Sequence, residues 1–249
     1  MNSKVILITG SSRGLGAAAA EGFSDAGHRV IINYSKSRDE AEALADRIRS
    51  RRAGVEVMTI QADVSKRNDV IRMFDEVIAR FGTCDALINM AGINMDGPFL
   101  DMTDERWNAV LGTILTGTFI CSQEFARRYR GEKGHIVNIG AVTALRGRKN
   151  GANYCSARAG ILNLTRCMAL ELAPNICVNT VTPGYMATEE VITRHSLHIK
   201  ENYDKAVAQI PAGKLGDPDD IFKALDFLIN NSSYITGQNF MIDGGFYMR

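Results

Sequence analysis

The chain has 249 residues, 45% hydrophobic and 23% charged, the make-up of a soluble globular protein rather than a disordered or fibrous one. Lys and Arg number 29 against 28 Asp and Glu, and a net charge of +1 argues against a nucleic-acid or membrane-surface binder working by bulk positive charge. The five cysteines, Cys84, Cys121, Cys155, Cys167 and Cys177, are scattered without C-x-x-C spacing, which argues against a metal site or disulfide framework and for a reducing, cytoplasmic compartment.

The first element is the apolar run KVILI (4–8), too short for a signal-peptide core or a membrane span. Glycines 10, 14 and 16 follow it directly, and an Ala-rich helical run (about 14–26) follows them. Such a loop lets the backbone approach a pyrophosphate and offers it the N–H groups of a helix N-terminus. Gly10, Ser12, Arg13, Gly14, Leu15 and Gly16 are therefore the candidate cradle, and the position between strand and helix makes the signal specific.

A second strand, RVIIN (29–33), leads into Asn33, Tyr34, Ser35, Lys36, Ser37 and Arg38, with the first acid at Asp39. A dinucleotide fold that selects NAD puts Asp or Glu at this strand end to hold the ribose 2′-OH. Here Asn33, Ser35 and Lys36 would not repel a 2′-phosphate, and Arg13, Lys36 or Arg38 can pair with one, so NADP(H) is favoured over NAD(H). Further strands are expected at 55–61, 85–89, 135–140, 176–181 and 239–243, with helices at about 38–52, 66–81, 103–130, 153–173 and 218–230. Continuous apolar strands alternating with helices predict an α/β fold, a single-domain Rossmann-like doubly wound parallel sheet of about seven strands with helices on both faces. The stretch 185–217 interrupts the alternation and reads as a helical lid over a site. The basic runs at 47–54 and 127–134 read as solvated helix ends.

The segment GHIVNIGAVTALRGRKNGANYCSARAG (134–160) carries Tyr154, with Arg158 one helical turn later. Together with TGSSRGLG (9–16), ADV (62–64), NMAG (89–92), PGYMAT (183–188) and DGG (243–245), in that order, it resembles the short-chain dehydrogenase/reductase family over essentially the whole chain, most closely the 3-oxoacyl-carrier-protein reductases. The resemblance implies that Asp63 and Val64 hold adenine, that Asn89, Ala91 and Gly92 line the adenosine ribose side, and that Pro183, Gly184 and Thr188 face the nicotinamide and its phosphate. Asp63 also suits a turn or a helix cap, and Met90 stands where a second Asn is usual.

The resemblance also implies a catalytic Asn-Ser-Tyr-Lys set, and this chain departs from it at three places. Tyr154 is present and would bind cofactor and substrate alike, but the lysine is Arg158, the serine thirteen residues before the tyrosine is Ala141 beside Gly140, and the asparagine is Ile114, not the nearby Asn108. Arginine keeps a positive charge and can bond ribose hydroxyls, but it cannot relay a proton. Loss of a donor aimed at the reacting oxygen costs about 10²–10³ in rate. Thr143 is the candidate to replace the serine, unless its hydroxyl bonds its own backbone.

Two functions follow: an NADP(H)-binding protein whose ordinary carbonyl reduction is weak or lost, serving as a non-catalytic subunit or accessory protein, and an active NADPH-dependent ketoreductase working with Tyr154 and Arg158. The resemblance implies basic residues near the site mouth for an acidic acyl carrier; Arg146, Arg148 and Lys149 sit in the corresponding loop, while Glu132 and Asn175 stand at two neighbouring places where cations would be expected. The family's helices at about 103–130 and 153–173 imply a homo-tetramer or a hetero-oligomer, and here they carry Ile114, Phe119, Leu162 and Leu170.

Overall fold

The computed structural model describes residues 3–51 and 54–248, so Arg52 and Ala53 of the first basic run lie outside the described residues. Seven strands form one parallel sheet in the order β3-β2-β1-β4-β5-β6-β7. They are β1 (Val5–Ile8), β2 (Arg29–Tyr34), β3 (Val57–Gln61), β4 (Ala86–Asn89), β5 (Gly134–Ile139), β6 (Ile176–Pro183) and β7 (Asn239–Ile242). Their alternation divides the core in two. Ile6, Ile8, Val30, Ile32 and Ile88 point into one cluster, and Val5, Leu7, Ile31, Leu87 and Ile136 into the other. Both faces are dry, which is why the strands read as unbroken apolar runs.

The first cluster is closed by α1 (Gly14–Asp25), α2 (Arg38–Arg51) and α10 (Pro218–Asn230). Gly22 lets α10 approach α1, since a Cβ there would lie 2.6 Å from the Phe222 ring. The second is closed by α3 (Arg67–Phe81), α5 (Gly117–Arg128) and α7 (Ala152–Leu172). Glu124, 2% exposed on α5, is paired with Arg67 of α3 and with Arg127 and Arg128 of its own helix, which compensates the burial of its charge.

The helix expected at 103–130 is continuous over Asp104–Arg128 but not uniform. α4 (Asp104–Leu111) passes through one π-helical turn, Gly112–Thr116, into α5. By length and composition this helix could cross a membrane, yet half of its most apolar window is buried inside the protein, as for a core helix. The remaining helices are the short α6 (Thr143–Arg146), which the sequence pattern does not signal, and α8 (Glu189–Arg194) and α9 (Lys200–Val207) in the interruption between β6 and α10.

Candidate active site and cofactor cradle

Strand order reverses at β1, whose neighbours are β2 and β4, and the crevice beyond the carboxyl ends of these strands is where open α/β sheets bind ligands. The glycine loop fills it. Thr9 Oγ1 accepts the N–H groups of Met90 (3.0 Å) and Ala91 (3.1 Å), tying the loop to the end of β4. Gly10 has φ +61°, and a Cβ there would lie 2.7 Å from Ala91 Cα, so no other residue fits. Gly14 opens onto free space at the first position of α1, and no side chain caps that helix. An uncapped N-terminus beside an open glycine fits a pyrophosphate.

Several expected cofactor residues hold the cradle rather than line it. Asn33 is buried. Its Oδ1 accepts the Gly10 N–H at 3.1 Å, its carbonyl accepts the Ser11 N–H at 2.9 Å, and its Nδ2 donates to the carbonyls of Ile60 and Ala62. The side chain expected beside a 2′-phosphate is thus a strut under the loop. Asn89 is likewise buried and donates to Ser122 Oγ and Asn138 Oδ1, bracing β4 against β5 and α5 rather than pointing to a ribose. Val64 is a core residue, and Gly117 gives it room. Asp63 takes the turn role: its Oδ1 accepts from the Ser65 N–H and hydroxyl. Thr188 caps α8 by accepting the Val191 N–H, and Pro183 and Gly184 end β6, where a Cβ on Gly184 would strike Asp243.

Ser12 and Leu15 are half-buried within the loop. Arg13, Ser35 and Lys36 stay exposed at the rim, and Arg13 and Lys36 make no ion pair among the described residues. Arg38 donates instead to the Tyr34 hydroxyl at 3.2 Å. No acid closes the end of β2.

Tyr154 lies in the first turn of α7, placed there by buried Asn153, whose Oδ1 accepts the Tyr154 N–H and whose Nδ2 donates to the Met95 carbonyl. Arg158 is 6% exposed, and its Nη1 donates to the Ile139 carbonyl at 2.6 Å. Its guanidinium carbon lies 5.3 Å from the centre of the Tyr154 ring. Its Nε has no hydrogen-bond partner, and it pairs with no carboxylate among the described residues. Gly92 makes this placement possible, because a Cβ at 92 would lie 2.7 Å from Arg158 Nη2.

Ile114 sits in the π turn, fully buried with Val110, Ala157 and Ile161, and Tyr154 packs against the cluster. Ala141 is buried, and Gly140 leaves no room for a side chain, since a Cβ would lie 2.3 Å from Thr182 Oγ1. Thr143 Oγ1 is buried without a hydrogen-bond partner, so it is not spent on its own backbone.

Near Tyr154 the expected loop cations meet partners that spacing does not reveal. Arg148 lies over the Tyr154 ring at 4.7 Å, with Nη2 bonded to Asp96 Oδ1 (2.7 Å) and Asn94 Oδ1 (2.9 Å). Arg146 lies over Phe246 at 4.3 Å, and Tyr185 meets both Phe246 and His195 edge to face. Burial, with Arg194 and Arg148 nearby, lowers the pKa of His195. Lys149 is exposed.

A family model described as Enoyl-(Acyl carrier protein) reductase matches residues 10–247. The chain is 36% identical over 249 residues to a 3-oxoacyl-(acyl-carrier-protein) reductase FabG of Staphylococcus epidermidis, covering 99% of this chain and 100% of that one. The chain belongs to the short-chain dehydrogenase/reductase family. It is also 34% identical to a 3-oxoacyl-(acyl-carrier-protein) reductase of Synechocystis over 252 residues, covering 100% of this chain and 98% of that one. Among solved structures, a doubly substituted short-chain dehydrogenase/reductase of Serratia marcescens matches with a TM-score of 0.89 at 30% identity, covering 98% and 97% of the two chains. As a short-chain dehydrogenase/reductase, the chain is an oxidoreductase-family protein whose Rossmann-like domain spans its length.

Proposed function

We propose that this chain binds NADP(H) and reduces ordinary ketones weakly or not at all, serving in the cytoplasm as a non-catalytic subunit or biosynthetic accessory protein. The observation that carries the reading is Arg158. Its guanidinium is buried and fixed to the Ile139 carbonyl, and an arginine fork donates hydrogen bonds without relaying a proton. In the family pattern this position receives and passes a proton; here it is a static cation. Ile114 removes the polar group that would feed it, and Ala141 offers no donor to a reacting carbonyl.

The cofactor, when bound, supplies hydride to a carbonyl carbon. The residues of this chain do the rest: Gly10, Gly14 and the start of α1 receive the pyrophosphate, Arg13 and Lys36 take the 2′-phosphate, and Tyr154 holds the proton for the carbonyl oxygen. Exposed Phe119 and Leu170, on α5 and α7, supply an apolar surface for a homo-tetramer or a related partner subunit.

A second reading, an active 3-oxoacyl ketoreductase, is favoured by Thr143, whose buried hydroxyl is unspent two residues beyond Ala141, and by the full-length likeness to named reductases. NADPH consumption across ketones and 3-oxoacyl thioesters separates the two. No turnover beside tight NADPH binding supports the first reading, and turnover that disappears in Tyr154→Phe supports the second.

A further inference from the structure

The mouth of the cleft carries more positive charge than its own acids neutralise. Asp96 pairs with Arg148 and Glu190 with Arg194, while among the described residues Arg146 and Arg158 pair with no carboxylate, Arg146 lying over the Phe246 ring and Arg158 beside that of Tyr154. Arg148 is the cation best placed to meet a substrate. Its guanidinium rests on the Tyr154 ring, and its stem is admitted by Gly151, where a Cβ would lie 2.5 Å from Arg148 Nε. Both hydrogens on Nη2 go to Asp96 and Asn94, whereas Nε is buried without a partner and Nη1 makes no hydrogen bond among the described residues. A guanidinium carries five N–H donors in a fixed fork; with Nε buried and Nη2 spent, Nη1 is the nitrogen left to meet a ligand while the group is held in place. Asp96 shows that a carboxylate oxygen sits well against it, at 2.7 Å.

We infer that Arg148 is a specificity-determining residue that receives the carboxylate of a small oxo acid whose carbonyl lies at Tyr154. The inference rests on the proposed reading only in taking the Tyr154 cleft as the substrate site. An acidic protein surface is not the ligand, because Arg148 has just 22% of its side chain exposed, so the anion must enter the cleft. With the guanidinium carbon 4.7 Å from the centre of the Tyr154 ring, one small molecule can meet both Arg148 and Tyr154, as a 2-oxo or 3-oxo acid would. Arg146 at the rim draws the anion inward, and the Tyr185, His195 and Phe246 rings wall its carbon chain.

The test is calorimetric titration of the full-length protein with acetoacetate and with its methyl ester, a pair differing in one charge, with and without saturating NADP⁺, which cannot reduce either. The expected result is that acetoacetate binds about tenfold or more tightly than the ester, as for a charge-assisted hydrogen bond. Arg148→Gln should erase that preference without changing ester affinity or NADP⁺ affinity, and Arg148→Lys should keep part of it. Equal affinities in the natural protein, or an Arg148→Gln variant that weakens acid and ester alike, would overturn the inference. Preference for the acid in a protein that fails to bind NADP⁺ would refute the cofactor reading and leave this one standing.

Discussion

Restoring the family set in this scaffold should awaken reduction, and the gain can be bounded. The variant combines Ile114→Asn, Ala141→Ser and Arg158→Lys. A serine at buried position 141 returns a donor to the reacting oxygen, worth about 10²–10³ in rate. Lysine at 158 and asparagine at 114 together return a proton path, worth about 10²–10⁴. Groups that act as a unit do not add, so a combined rise of about 10³ is the expectation.

The cost falls on stability. Ile114 is fully buried among Val110, Ala157 and Ile161, and an amide there costs about 2–4 kcal/mol unless a water or the lysine satisfies it. Arg158→Lys also gives up the bond to the Ile139 carbonyl. The assay is steady-state NADPH consumption with a 3-oxoacyl thioester, beside a thermal melt and an NADPH titration. A folded, NADPH-binding triple variant with no gain in rate would refute the claim that these positions limit the chemistry.

Three other perturbations probe the cradle and the fold. Gly10→Ala forces a Cβ to within 2.7 Å of Ala91 Cα at φ +61°, so a loss of about 2 kcal/mol or more in stability and of NADPH binding is expected by melting and titration. Replacing Arg13 and Lys36 together by Gln should weaken NADPH about tenfold or more and leave NADH unchanged, which paired titrations would show. His135, on β5, has its pKa lowered from 6.5 to about 4 by burial, with Lys4 and Lys133 adding to the effect. The unfolded chain takes up this proton first, so the contribution is intact above pH 6.5 and is lost as pH falls toward 4, by up to about 3 kcal/mol. Denaturant melts over that window should show a shallower slope in His135→Leu than in the natural protein.

Much of the architecture was legible because strands buried on both faces must be apolar at every position, and Val5–Ile8, Val30–Ile32 and Ala86–Ile88 are. The glycine loop was legible because steric demand falls on Gly10 and Gly16 at fixed distances from a strand. The expectation at Ile114, Ala141 and Arg158 rests on spacing to Trp107 and Tyr154, which says nothing of what surrounds these residues. Nothing local marks Asn33 as a strut, since its partners come from Gly10, Ile60 and Ala62. The π turn at Gly112–Thr116 left only its flanking glycines as a signal, of which Gly117 packs on Val64. Helical periodicity could not tell Ile114, which is core, from Phe119 and Leu170, which are exposed. Arg148 looked like a surface cation beside Lys149, and its stacking on Tyr154 depends on Asn94 and Asp96 from a distant loop.

These features define an asymmetry between the two halves of the site. The glycine loop keeps its struts and, among the described residues, rim cations without an ion pair, while a fixed guanidinium and an apolar wall flank Tyr154, and on these the proposed loss of proton transfer rests. The measurement that tests this most directly is a single-turnover experiment: the NADPH-saturated natural protein mixed rapidly with excess 3-oxoacyl thioester, following the loss of reduced cofactor. The account predicts saturable NADPH binding and no oxidation on the timescale of a working reductase. Rapid, stoichiometric oxidation that vanishes in Tyr154→Phe would contradict it.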